Sequence, residues 1–128
     1  MDKIKDIKGI DLSAEQKLQE LGIVTTVDLL AHAGTPAELH ALAKRIGVEP
    51  SLLTEWINRA DLVALKGVGR EMANLLEEAG VDSLKELKHR KAENLYASLK
   101  TINDEKKITH HAPSLAQVEA WISEASTH

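Results

Sequence analysis

Strict alternation of apolar and polar residues is nearly absent from this chain. Its apolar positions recur instead at spacings that suit short amphipathic helices. Leu18 and Leu21, then Leu53, Trp56 and Ile57, then Val118, Trp121 and Ile122 mark three such faces. Start and stop signals divide the rest. Ser13-Ala-Glu-Gln16, Thr35-Pro-Ala-Glu38, Ser83-Leu-Lys-Glu86 and Ser114-Leu-Ala-Gln117 read as capping boxes. In each, the hydroxyl accepts from the third helical amide while the third side chain reaches back. Pro36 suits a first helical position, and Gly22 and Gly47 read as left-handed stops. Together these predict helices at about 13–21, 26–33, 36–46, 51–64, 70–79, 84–89, 92–102 and 115–126. The expected fold class is all-α, with short helices and tight connections.

The pattern also repeats. "IKGIDLSAEQKLQELGI" (7–23) matches "LKGVGREMANLLEEAGV" (65–81), so that Gly9 and Gly22 stand over Gly67 and Gly80 at one offset of 58. "ELHALAKRI" (38–46) then matches "NLYASLKTI" (94–102), and "PSLLTEWINRA" (50–60) matches "PSLAQVEAWISEA" (113–125). The last pair places Trp56 over Trp121, and the second copy is longer before it, through "NDEKKITHHA". Order is kept throughout. The expected organisation is a single domain, 1–128, of two pseudo-repeats at about 7–61 and 62–126.

Lys66-Gly67-Val68-Gly69 interrupts the helical pattern between the predicted helices 51–64 and 70–79. So short a link allows only a tight hairpin. Gly67 permits a positive φ there, Val68 is expected to point into the core, and Gly69 starts the next helix without a Cβ clash. Amides at such a helix start, with Arg70 beside them, favour an anion through exposed donors and the helix dipole.

Composition bounds what that anion site belongs to. The 128 residues are 43% hydrophobic and 28% charged, enough to fold. Aromatics are 2% (Trp56, Tyr96 and Trp121), so the core is aliphatic. No cysteine is present, which removes disulfides, thiolate metal sites and cysteine nucleophiles together. No apolar run approaches the roughly 20 residues of a membrane span, and the Met1-Asp-Lys-Ile start lacks a signal-peptide apolar region. A cytoplasmic protein that engages no membrane is expected. Net charge is −4, against binding of nucleic acid by global charge. Residues 85–107 are locally basic, with 7 basic against 4 acidic side chains. Lys85, Lys88, Arg90 and Lys91 head that segment.

Leu62, Leu65, Gly67, Val68, Gly69, Ala73 and Leu76 occupy the positions of the helix-hairpin-helix motif, in which a glycine–apolar–glycine hairpin holds a backbone phosphate. Over nearly its whole length the chain resembles an uncharacterised bacterial helix-hairpin-helix family of similar size, catalogued as a domain of unknown function. That family is related to tandem helix-hairpin-helix DNA-binding domains. The resemblance implies a module that binds nucleic acid, DNA ahead of RNA, through Lys66, Gly67, Val68, Gly69 and Arg70, aided by Lys85, Lys88, Arg90 and Lys91. A protein partner engaged through the same fold is the alternative. Two positions depart from the motif. Glu71 places a carboxylate two residues past Gly69, where it would oppose a phosphate, and the first copy reads Gly9-Ile-Asp11, with Asp11 replacing the second glycine.

No catalytic signature accompanies the hairpin: HExxH, GxSxG, P-loop and dinucleotide fingerprints are all missing from the sequence. No enzymatic activity and no cofactor are expected. His110 and His111 are adjacent and lack a third ligand nearby, so no metal site is expected either. Trp56 and Trp121 read as core residues, and His32 and His89 as dipole partners at helix C-termini. One packing expectation follows. The eight residues before Gly9 are too few for a full helix, so Leu12, Leu18 and Leu21 need another cover. The Trp121 helix, 115–126, is expected to pack beside residues 7–21 within a monomer, with a swapped dimer as the alternative.

Overall fold

The computed structural model describes residues 3–7 and 9–127. Met1, Asp2, Lys8 and His128 lie outside these, and with them the start of the chain on which the leader was judged. Among the described residues there are eight α-helices and no strand; an isolated antiparallel bridge joins Lys3 to Thr25. The chain divides into two compact units, Met1–Ala64 and Leu65–His128.

The first unit contains a 3-10 turn at Ile4–Asp6, then α1 (Leu12–Glu20), α2 (Thr26–His32), α3 (Pro36–Ile46) and α4 (Pro50–Ala64). α1 does not start at a Ser13 cap. Asp11 is its N-cap, accepting from the Ala14 amide at 2.8 Å, which places Ser13 inside the helix. A carboxylate makes a charge-assisted bond and complements the dipole, so it outcompetes a hydroxyl two residues on. α2 opens on a reciprocal box that the expected motif had not covered, Thr25 with Asp28. α3 starts as expected, with Thr35 accepting from the Glu38 amide and Pro36 following, and it ends on left-handed Gly47. Lys17 reaches across from α1 to the Ile46 carbonyl at 3.3 Å, a cation at the negative end of α3. α4 packs against α2 and α3, and α1 against α3. Their shared core gathers Leu18, Ile23, Leu29, Ile46, Leu53 and Trp56.

The second unit contains α5 (Gly69–Glu78), α6 (Leu84–Lys88), α7 (Ala92–Lys106) and α8 (Leu115–Ala125). α8 packs against α6 and α7, and α5 against α7. Leu75, Leu76, Leu87, Leu95, Leu99, Val118 and Trp121 are all buried. α7 runs a full turn past the expected end at 102, stopping where Lys107 takes φ +53°. The extra turn is held by Asn103, which is buried and exchanges two bonds with the Thr109 backbone, at 2.8 and 3.2 Å. Ser114 and Gln117 form the complete reciprocal box at the start of α8.

Within the first unit, Trp56 covers the Gly9 turn. A side chain at Gly9 would stand 3.4 Å from the Trp56 indole nitrogen, and Trp56 lies in one core with Leu18. Within the second unit, the Trp121 indole donates to the Lys66 carbonyl at 3.1 Å. Each tryptophan helix therefore covers the glycine turn at the start of its own unit.

Candidate functional site

The link into α5 is a turn closed by the Val68 amide on the Leu65 carbonyl at 3.1 Å. Leu65 and Val68 are both buried, so the two apolar residues anchor the turn from inside. Lys66 and Gly67 are left exposed at its tip. Gly67 has φ +84° and Gly69 φ +65°, backbone states that cost an L-residue roughly 1–2 kcal/mol. The two glycines nevertheless serve different ends. A Cβ at Gly67 would lie 3.5 Å from the Trp121 indole nitrogen, so that glycine lets α8 approach. A Cβ at Gly69 would meet nothing within 4 Å, so that glycine faces open space.

α5 begins at Gly69 behind Val68, whose apolar side chain makes no capping bond. Six of the other seven helices have a described N-cap, and among these α7, which starts after Lys91, likewise lacks a side-chain cap. Arg70 and Glu71 are exposed in the first turn of α5. The sequence expectation missed what holds Lys66. Its amide donates to the Glu124 carboxylate of α8 at 3.3 Å, and its carbonyl accepts from Trp121. Trp121 and Glu124 are three residues apart on one helix face, so α8 engages both backbone polar groups of residue 66. That spacing was the available signal, but pairing it with Lys66 needed the tertiary structure.

The expected basic partners do not all join this turn. Arg90 is half-buried and donates to the Gly80 carbonyl at 3.4 Å, beyond the C-terminal end of α5. α5 is ten residues long, about 15 Å, so Arg90 and the Gly69 turn are separated by about that distance. Lys85 and Lys88 are exposed on α6, and Lys91 is exposed at the start of α7. Arg90 therefore stands beyond the end of α5 opposite the Gly69 turn.

The corresponding turn of the first unit has a different chemistry. Gly9 has φ +98° and abuts Trp56, and the Ile10 amide bonds to the Ile7 carbonyl at 3.3 Å, matching Val68 on Leu65. There the Asp11 carboxylate occupies the helix start. The first unit also carries an open cleft of about 520 Å³, with Leu21, Ile23 and Leu42 beside Glu20, Glu38 and Arg45. Charges of both signs line it, and none of the expected site residues does. Among the described residues no group of three His, Asp or Glu side chains is placed to hold a metal ion, and no helix is long and apolar enough to cross a membrane.

No curated protein and no solved structure matches the chain. A family model does, over residues 8–128, under the description Domain of unknown function (DUF4332). The match covers both units and both glycine turns, and the chain belongs to that family.

Proposed function

We propose that this protein is a small, non-enzymatic, cytoplasmic module of tandem helix-hairpin-helix repeats that binds nucleic-acid backbone phosphates weakly and without sequence preference. The observation that carries the reading is the start of α5. Gly69 opens to unobstructed space at a helix N-terminus whose preceding residue cannot cap it, with Lys66 and Arg70 exposed alongside. Exposed amides, dipole and cations there favour a phosphate oxygen. Further exposed cations of the same unit, Lys85, Lys88 and Lys91, suit an extended polyanion better than a single small anion. Lys85, Lys88 and Lys91 would contact the more distant phosphates, while Arg90 is tied to Gly80. Duplex DNA is the preferred partner in this reading, ahead of RNA.

Binding of a labelled duplex at about 20–50 mM and at higher salt tests it. About three contacted phosphates give a log–log salt slope near −3. Gly69→Asp and Arg70→Glu should each weaken binding by roughly tenfold without loss of helical circular dichroism, and Glu71→Lys should tighten it by a similar factor. Wild-type protein that fails to bind at low salt would sink the reading. It would promote a protein-interaction module, for which Leu12, Val24 and Val27, exposed at 68%, 42% and 50%, are the apolar candidates.

A further inference from the structure

The two units end their first helices in the same way. Glu20 closes α1 and Glu78 closes α5, and Gly22 and Gly80 follow at φ +81° and +89°. The Ile23 and Val81 amides then bond back to the Leu18 and Leu76 carbonyls, each at 2.9 Å. Carrying the sequence offset of 58 onward sets the Thr25 cap of α2 over the Ser83 cap of α6, and His32 over Arg90. What faces these groups differs. In the second unit Arg90 donates to the Gly80 carbonyl at 3.4 Å. Lys106, on the turn by which α7 outruns α3, meets Glu78 at 2.8 Å. In the first unit the His32 ring is turned to the Asp28 carbonyl, its Nδ1 2.8 Å away, and α3 stops at Gly47 before any such turn. A Cβ at Gly80 would stand 3.0 Å from Arg90 Nη2, whereas one at Gly22 would meet nothing within 4 Å. Among the described residues Glu20 makes no ion pair and the Gly22 carbonyl accepts no hydrogen bond.

These unmet acceptors border the open cleft of about 520 Å³, where Glu20, Leu21 and Ile23 face Glu38 and Leu42 of α3. Ile23 and Leu42 are buried and give the cleft an apolar floor. The second unit shows what the acceptors take when something is supplied: a guanidinium on the glycine carbonyl and an ammonium on the glutamate. We infer that the cleft of the first unit is a docking site for an arginine that a partner protein presents between apolar residues. An arginine lays its methylene stem along apolar surface while its head stays polar, and its fork of donors can serve the Gly22 carbonyl and the Glu20 carboxylate together. The flanking apolar side chains of the partner cover Leu21 and Leu42. Arg45 lies seven residues along α3 from Glu38, about 10 Å, and discourages a uniformly basic ligand such as a polyamine. The site uses none of residues 66–70 and stands whether or not the phosphate reading does.

The test is a titration of the isotope-labelled full chain with the capped peptide Ala-Leu-Arg-Leu-Ala, followed by amide chemical shifts. Saturable shifts should appear at Leu21, Ile23, His32 and Leu42, and the same peptide with Glu in place of Arg should bind at least about tenfold more weakly. Glu20→Gln should weaken binding by about two- to fivefold, while Glu55→Gln, an equal charge change on α4 outside the cleft lining, should alter it less than about 1.5-fold. His32→Arg gives the first unit its own counterpart of Arg90 and should weaken peptide binding by at least about fivefold, with helical circular dichroism unchanged in every variant. Equal binding of the two peptides, shifts centred elsewhere, Glu55→Gln matching Glu20→Gln, or no saturable shift up to about 5 mM peptide overturns the inference. Spermidine moving the same amides as tightly as the peptide would make this a small-cation site. Shifts at those amides that grow with protein concentration alone would make a second copy the occupant. Either result overturns the assignment to a partner's arginine.

Discussion

Trp56 and Trp121 occupy matching positions and are equally buried, at 3% and 2% exposure, yet their indole nitrogens differ. Trp121 donates to the Lys66 carbonyl, whereas Trp56 Nε1 has no hydrogen-bond partner among the described residues. A phenylalanine at either position keeps most of the aromatic packing and removes the donor. Trp121→Phe should therefore lose a hydrogen bond worth about 0.5–1.5 kcal/mol in addition to its packing change. Trp56→Phe loses no such bond and relieves an unsatisfied buried donor. Denaturant midpoints should fall further for Trp121→Phe than for Trp56→Phe. Equal shifts, or the reverse order, would show that the indole bond to Lys66 carries no net stability. The positive φ of Gly67, the left-handed Gly22 and the burial of Val68 were all legible at this scale, because each is a property of local backbone and residue type. The hold of Glu124 on Lys66 was not, since nothing local links residues 58 apart.

Helix boundaries were legible where a local device sets them and not where a tertiary contact does. Thr35 with Pro36 and Ser114 with Gln117 start α3 and α8 at the positions their chemistry dictates. The end of α7 was not legible, because the buried exchange between Asn103 and the Thr109 backbone decides it. At the start of α2, Asp28 gives a pH dependence with a definite sign. Amide donors at Val24 and Thr25 hold its carboxyl below the usual carboxylate range, with the Thr25 hydroxyl and His32 adding to the effect. A depressed folded-state pKa means stabilisation that is present above the unfolded value, about 3.9, and lost as pH falls through the folded one. Asp28→Asn should thus lower the thermal midpoint at neutral pH, with the gap to wild type closing as the solution is acidified below about pH 4. A gap that stays constant across that range would mean that Asp28 acts through side-chain shape alone, without its charge.

At the scale of the whole molecule, the repeat read from the sequence matched Trp56 with Trp121 but not what each tryptophan covers. Sequence symmetry allows either tryptophan helix to serve either glycine turn, and only tertiary packing chooses. The choice made here has a consequence for truncation. Removing residues 114–128 deletes α8, and with it Val118, Trp121 and Ala125, all buried in the second unit. Large buried side chains contribute about 1.5–3 kcal/mol each, and this unit spans only 64 residues, so little of its stability survives the loss. The Trp121 bond to Lys66 goes too, along with the Glu124 contact at the candidate site. None of the deleted residues belongs to the core cluster that joins Leu18, Leu29, Ala43, Leu53 and Trp56. Hydrogen exchange on the truncated chain should therefore show amides of α5, α6 and α7 unprotected, while those of α1 to α4 near these five residues remain slow. If the 66–70 turn binds a duplex as proposed, that binding should be lost with the same deletion. Uniform loss of protection along the chain would mean that the first unit depends on α8 as well, and protection unchanged in α5–α7 would mean that Trp121 is not what holds the glycine turn in place.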